Sequence, residues 1–196
     1  VSRAVAYFAF KHGRIDWIES NNEYWLEQDA RLRTDFNVTT GLKTDRIEDI
    51  KEKSSMKKFY KAGGIPTARQ IKGSEGLEAV LGFAQTTGYP IIAKPDNGVG
   101  AACTCKMEAE DDVRAYFESY PDDAQKCVVE EFITGFLVSY DAVVDSNCEP
   151  IFESMSCFPD PVMNIVKENL DTFYWVEKEI DPKLREKGRK PVKAFG

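Results

Sequence analysis

Histidine is nearly missing from this 196-residue chain, with His12 alone, and no two of its cysteines are spaced CxxC. Zinc sites draw on His and Cys at short, regular spacing, so no zinc module is expected. The five cysteines (Cys103, Cys105, Cys127, Cys148 and Cys157) are odd in number. Cys103 and Cys105 fall two apart in an alternating run, where cysteine acts as a small hydrophobe. His12 stands before Gly13 at what reads as a helix end, a place where an imidazole faces terminal carbonyls. Basic residues are in deficit, the net charge being -7, which argues against the Lys/Arg footprint of a nucleic-acid binder. No run of eighteen apolar residues occurs, and the first twenty lack the order of a secretory signal. The expectation is a soluble cytoplasmic protein with small molecules or proteins as partners, away from membranes. The Walker pattern GxxxxGK[ST] is also absent, as are internal repeats and low-complexity segments.

What is present is enough apolar material, 42% hydrophobic and 12% aromatic, to bury an ordinary core in one domain or two small lobes. The chain opens on a helical stripe, Ala4, Val5, Phe8 and Ala9, with no strand ahead of it to pack upon. That pattern reads as a piece of a longer protein. A short strand is expected at 15–18, a helix at 22–36, and two helical pieces at 45–50 and 54–62 around Lys53, stopped by Gly63, Gly64 and Pro66. A brief strand near 68–71 precedes an amphipathic helix over 75–87 that ends at Gly88. Strands are predicted at 90–95, 101–106 and 127–133, with a helix at 108–120 between the last two. The segments 137–144 and 149–157 flank Asp145-Ser146-Asn147 and form an antiparallel hairpin in this reading. Beyond Asp160 the pattern weakens to turns and a solvated basic helix at 183–193.

Gly98-Val99-Gly100 between two strands fits a plain hairpin turn when taken alone. Its context points to phosphate instead. Lys94 leaves an apolar strand just before the loop, and successive backbone N–H groups in a glycine-rich turn form a concavity for anionic oxygens. A lysine after Ile91-Ile92-Ala93 is hard to explain as a solvated surface residue. Since the lysine precedes the glycines, the architecture is not a Walker loop.

Three blocks in order, Lys53 to Pro66, Gly88 to Ala101 and Val128 to Gly135, resemble the ATP-grasp superfamily, over roughly residues 15–158. The resemblance is closest to the branch of biotin carboxylase, carbamoyl-phosphate synthase and the amino-acid ligases. It implies an α/β (α+β) ATP-grasp fold, here partial, with two small lobes of antiparallel sheet and flanking helices. It divides the chain into the end of an upstream α/β domain (1–44), a small lobe with linker helices (45–130) and an incomplete second lobe (131–196). Lys53 matches the first ATP lysine, though an exposed lysine among Lys51, Lys57 and Lys58 is the bland alternative. Lys94 matches the second lysine, and Asp96, Asn97, Gly98, Val99, Gly100 and Ala101 match the loop over the phosphates. Glu130, Glu131, Phe132 and Ile133 match the linker that reads adenine, with Glu130 accepting the exocyclic amine. Alternation along a strand sends Glu130 and Glu131 to opposite faces, so one of them is expected to face the nucleotide.

Two departures stand out. Leu137 occupies the place where the family puts a ribose-binding glutamate, whereas Asp141 keeps an acidic position farther along the hairpin. The family's magnesium ligands, a glutamate and a later Glu-x-Asn, have no counterpart after the linker; Glu19-Ser20-Asn21 precedes Lys53 and belongs to another part of the fold. The resemblance therefore implies ATP and Mg²⁺ as cofactors, with metal ligands expected outside this chain. For the parent protein it implies a ligase that activates a small carboxylate as an acylphosphate for attack by an amine. A non-catalytic nucleotide-binding or assembly module is the alternative. Exposed apolar edges would favour association of like copies.

Overall fold

Residues 1–98 and 104–195 are described by a computed structural model. The loop assignments at Val99, Gly100 and Ala101, together with Cys103, lie outside the described residues.

The first helix, α1 (Ser2–His12), buries none of its residues, and Phe8 and Phe10 stand largely exposed. Its apolar stripe forms as predicted, with Val5 and Ala9 partly buried and Ala4 and Phe8 exposed. Residues 15–18, expected as a strand, are irregular. They lie along α2 (Leu26–Asp35) and are tied to it through side chains: buried Arg33 donates to the carbonyls of Ile18 and Leu42 and to Glu19, and the Ser20 amide donates to Asp29. An arginine fork here does what a strand ladder would otherwise do. Gly41 is required beside it, since it sits at φ +77 and a Cβ would come within 2.8 Å of the guanidinium.

The helical pieces around Lys53 are α3 (Glu48–Lys51) and α4 (Lys53–Ala62), the second ending at Gly63. The first sheet is antiparallel, in the order β1 (Gln70–Lys72), β4 (Cys127–Glu131), β2 (Ile91–Pro95), β3 (Cys105–Met107). Three helices cover one of its faces: α5 (Leu77–Thr87), α6 (Glu110–Ser119) and α7 (Pro121–Lys126). The sequence reading ended its helix at Tyr120 and assigned no element to the residues of α7. Alternation along the strands puts Ile91, Ala93, Met107, Cys127 and Val129 on that covered face. They pack with Val80, Leu81 and Ala84 of α5 and Val113 and Tyr116 of α6 into the main core. The α6 terminus is set by Asp112, whose carboxylate accepts from the amides of Glu108 and Ala109.

The predicted hairpin is present as β5 (Leu137–Val144) and β6 (Pro150–Phe158), paired from Leu137↔Phe158 onward. Asp145 builds its turn by accepting from the amides of Asn147 and Glu149. A short strand, β7 (Trp175–Val176), pairs with β6 to complete the second sheet. Two elements went unread in the weak C-terminal pattern: β7 and α8 (Val162–Glu168). The basic segment is helical, as α9 (Pro182–Phe195), yet it is not merely solvated. Arg185 and Arg189 pair with Glu153 and Lys193 with Glu149, both acids on or beside β6. Among the described residues no helix is long and apolar enough to cross a membrane.

Candidate nucleotide site

The uncovered face of the first sheet carries the chemistry. Register places Ile92 opposite both Glu130 and Lys106, with Lys94 two residues along the same strand. Side chains two apart on one strand, and those directly opposite on the next, share a face. Ile92, Lys94, Lys106 and Glu130 therefore all line one cavity of about 990 Å³. Lys53 at the start of α4 closes one side, the segment from Phe132 to Gly135 another, and Pro161, Met163 and Asn164 at the start of α8 a third.

Glu130 is the hub. Its carboxylate is buried and each oxygen holds one lysine, Oε1 the Lys57 Nζ at 2.6 Å and Oε2 the Lys94 Nζ at 2.7 Å. Burial alone would push its pKa up, but the hydrogen bonds from Lys57 and Lys94 outweigh that and hold it below the usual carboxylate range. Lys57 also donates to the Ala68 carbonyl at 2.6 Å. It lies one helical turn after Lys53 on α4, so both reach toward the same sheet. Glu131 points the other way, as alternation requires: its carboxylate accepts from the amide and guanidinium of Arg69, and its own amide donates to the Arg69 carbonyl. Of the two acids, Glu130 is the one whose carboxylate meets the cavity lysines. The ladder ends here, and Phe132, Ile133, Thr134 and Gly135 run on as strand-free backbone along the cavity.

Lys53 donates from Nζ to the Gly98 carbonyl at 2.9 Å, and burial pulls its pKa down against the opposing fields of Glu23 and Asp96. Asp96 has a different task from the phosphate contact expected of it. Its carboxylate accepts from the Ser54 amide and hydroxyl, at 2.7 and 2.6 Å, and its carbonyl accepts from the Lys53 amide. A carboxylate at a helix N-terminus is well placed against the dipole, so Asp96 fixes the helix that carries both Lys53 and Lys57. Asn97 donates to Glu27 and bridges to Glu52. Asp141 is not brought to this cavity; it accepts from Ser139 and Ser156 on the second sheet.

A family model described as the carbamoyl-phosphate synthase L chain, ATP binding domain, matches residues 52–159, more than half of the chain. The chain belongs to that ATP-binding family. The matched span of this ATP-grasp domain contains Lys53, Lys57, Lys94, Glu130 and the Phe132–Gly135 segment. Three solved structures show the same fold. The biotin carboxylase domain of 2-oxoglutarate carboxylase from Hydrogenobacter thermophilus, in complex with MgADP, ADP and bicarbonate, superposes with a TM-score of 0.69 at 17% identity, over 98% of this chain and 45% of that one. The L-amino acid ligase from Bacillus licheniformis gives 0.65 at 16%, over 100% and 45%. N5-carboxyaminoimidazole synthetase from Staphylococcus aureus, complexed with ADP, gives 0.66 at 16%, over 99% and 50%. The chain thus spans about half the length of these relatives. No curated protein sequence matches it.

Residue by residue, the geometry brings Lys53, Lys94, Glu130 and Phe132–Ile133 to the cavity, and Gly98 meets it through Lys53. Sequence reasoning passed over Lys57 and Lys106, the latter 4.6 Å from the Phe132 ring centroid. Spacing held the signal for both, i+4 from Lys53 and the alternation Thr104, Lys106 on a strand facing Ile92. The described residues do not fit a resident magnesium ion. No group of three or more His, Cys, Asp or Glu is placed among them to hold a metal, and both acids at the cavity are already engaged by cations.

Proposed function

We propose that the cavity holds ATP, and that in the parent protein this nucleotide drives the joining of a small carboxylate to an amine through an acylphosphate. The observation that carries the reading is the convergence of Lys53, Lys94 and Glu130 on one cavity that is walled by the strand-free Phe132–Gly135 segment. Apolar walls at Ile92, Phe132 and Ile133 suit a purine, while backbone groups past Phe132, whose own amide donates to the Pro90 carbonyl, suit its hydrogen-bonding edge. Glu130 retains acceptor capacity beside its two lysines for the exocyclic amine. Lys94 and Lys53 lie where phosphate oxygens would compete for their ammonium groups.

In such a reaction a carboxylate oxygen attacks the γ-phosphorus, the bond to the β,γ-bridging oxygen breaks, and ADP leaves. The amine then attacks the acyl carbon, inorganic phosphate departs and the amine loses a proton. The part of this chain is to hold the nucleotide and neutralise phosphate charge, which is positioning and electrostatics rather than covalent chemistry. Magnesium is assigned no residue here. We further take residues 45–130 as a small lobe with its linker helices and 131–196 as the start of a second lobe.

Leu137 supports a second reading, a nucleotide-binding module without catalysis, since it supplies no hydroxyl-binding acid at the ribose position. Calorimetric titration with ATP tests the first requirement of both. Lys94→Ala and Lys53→Ala should each weaken binding by about ten- to a hundredfold, the effect of losing one charge-assisted hydrogen bond. Binding that ignores both substitutions would sink the assignment of this cavity.

A further inference from the structure

Among the described residues three lysines line the proposed nucleotide cavity, and two of them belong to the end assigned to the phosphates. Lys53 holds the Gly98 carbonyl, and Lys94 lies two residues beyond Ile92 on β2, toward the same loop. Lys106 is placed differently. Register sets it opposite Ile92, with Glu130 on that residue's other flank, so the three form a row across β4, β2 and β3 on the uncovered face. The row stands about 7 Å back from the Lys94 position along the strand. The contact with Phe132 agrees with this direction. Lys106 Nζ lies 4.6 Å from the Phe132 ring centroid, and the Phe132 amide donates to the carbonyl of Pro90, just before β2 and at the end remote from the loop.

The ammonium of Lys106 is held in place without being used up. Its side chain is 30% exposed, and Glu108 Oε1 accepts one of its protons at 2.6 Å. The Phe132 ring meets another side of the charge. An ammonium has three protons to donate, which leaves capacity for one acceptor from the cavity. At the other end of the row Glu130 has no proton to give while ionised, and the hydrogen bonds from Lys57 and Lys94 keep it ionised. The row thus offers an acceptor, an apolar floor at Ile92 and a donor, in that order, over two interstrand spacings, about 10 Å between the outer backbones. A flat ring with an amine on one side and an unprotonated ring nitrogen on another complements it. A phosphate does not, because Glu130 would repel it.

We propose that Lys106 is a specificity-determining residue that binds the nucleobase, its ammonium donating to a ring nitrogen of an adenine lying over Ile92. The assignment rests on the nucleotide reading above. It adds that the third lysine of the cavity acts on the base and takes no part in holding phosphate.

The test is calorimetric titration of the full chain and of Lys106→Met, Lys106→Arg and Lys94→Ala with ATP and with the triphosphates of 1-deaza-, 3-deaza- and 7-deazaadenosine. Each analogue replaces one ring nitrogen by C–H and so removes one acceptor. Lys106→Met keeps an apolar stem and removes the charge; it should weaken ATP about tenfold, the loss of one charge-assisted hydrogen bond. Lys106→Arg keeps a cation and its donors and should recover most of that affinity. One of the three analogues should bind the unmodified protein about tenfold more weakly than ATP does and lose nothing further on Lys106→Met, since the partner is already gone. Lys94→Ala should weaken all four nucleotides alike. A lysine that only props Phe132, or that holds phosphate, would give the same loss for all four ligands on Lys106→Met, and that result overturns the proposal. ATP binding that depends on Lys94 but ignores Lys106→Met overturns it too and leaves the nucleotide reading standing. ATP that does not bind, or that binds without regard to Lys94, removes both.

Discussion

Lys57 and Lys94 would repel one another across the sheet face if Glu130 did not stand between them, one lysine on each carboxylate oxygen. Glu130→Gln keeps the shape and removes the charge, leaving two ammonium groups beside a neutral amide. Because Glu130 is nearly buried while Lys94 retains some access to water, the expected loss of stability is about 2–3 kcal/mol, at the lower side of what breaking a buried pair costs. The pH dependence has a definite sign. The carboxyl is held below its ordinary value, so its contribution is fully present above about pH 4.5, the usual range of an unfolded glutamate, and is lost as the pH falls through the depressed native value. Urea unfolding of the two proteins should therefore differ most near neutrality and converge in acid; a gap that persists or widens at low pH contradicts the arrangement. Lys94 drew notice from an apolar strand that ends in a lysine, and Lys53 only through the family resemblance. The burial of Lys51 and the ion pair of Lys57 were not legible, because four lysines within eight residues have the same chemistry and only the fold tells them apart.

At the scale of elements, the β5–β6 hairpin was legible because both of its causes are local: alternation along each strand and an aspartate that closes the turn. The role of α9 was not, since whether a basic helix faces water or Glu153 is decided by contacts made far along the chain. Arg189 and Tyr140 both hydrogen-bond Glu153, which holds its carboxyl down to about 2. The helix comes this close because position 188 is glycine: a Cβ there would lie 2.3 Å from the Tyr140 ring. In an open helix Gly→Ala gains about 1 kcal/mol. Here the ring and helix must separate, and overpacking of this kind costs about 1–3 kcal/mol. Gly188→Ala should thus be neutral to destabilising in the native protein, yet stabilising in a Tyr140→Ala background. Thermal unfolding of the four proteins of that cycle measures the difference, and equal effects of Gly188→Ala in both backgrounds would show that α9 does not pack on Tyr140.

For the whole molecule, the proposed nucleotide cavity takes its walls from both sheets' surroundings, Glu130 to Gly135 on one side and Pro161 to Asn164 on the other. Helix α9 touches both sides. At one end its Phe195 ring stacks on Phe59 of α4 at 4.6 Å, and the Phe195 carbonyl accepts from Arg46; farther back, Arg189 holds β6. The helix that presents Lys53 and Lys57 is thereby joined to the sheet that α8 follows. ATP bound between the two walls should slow amide hydrogen exchange in 132–135 and in 163–164 together, since each wall then loses access to water and to local opening. Phe195→Ala removes the stacking contact but no cavity residue. It should retain the protection at 132–135, next to the first sheet, while reducing that at 163–164. Protection confined to 132–135 in the unmodified protein would mean that nucleotide rests on the first lobe alone and that α8 is no part of the site. Protection at both walls that Phe195→Ala leaves untouched would keep the site and relieve α9 of any part in holding it together.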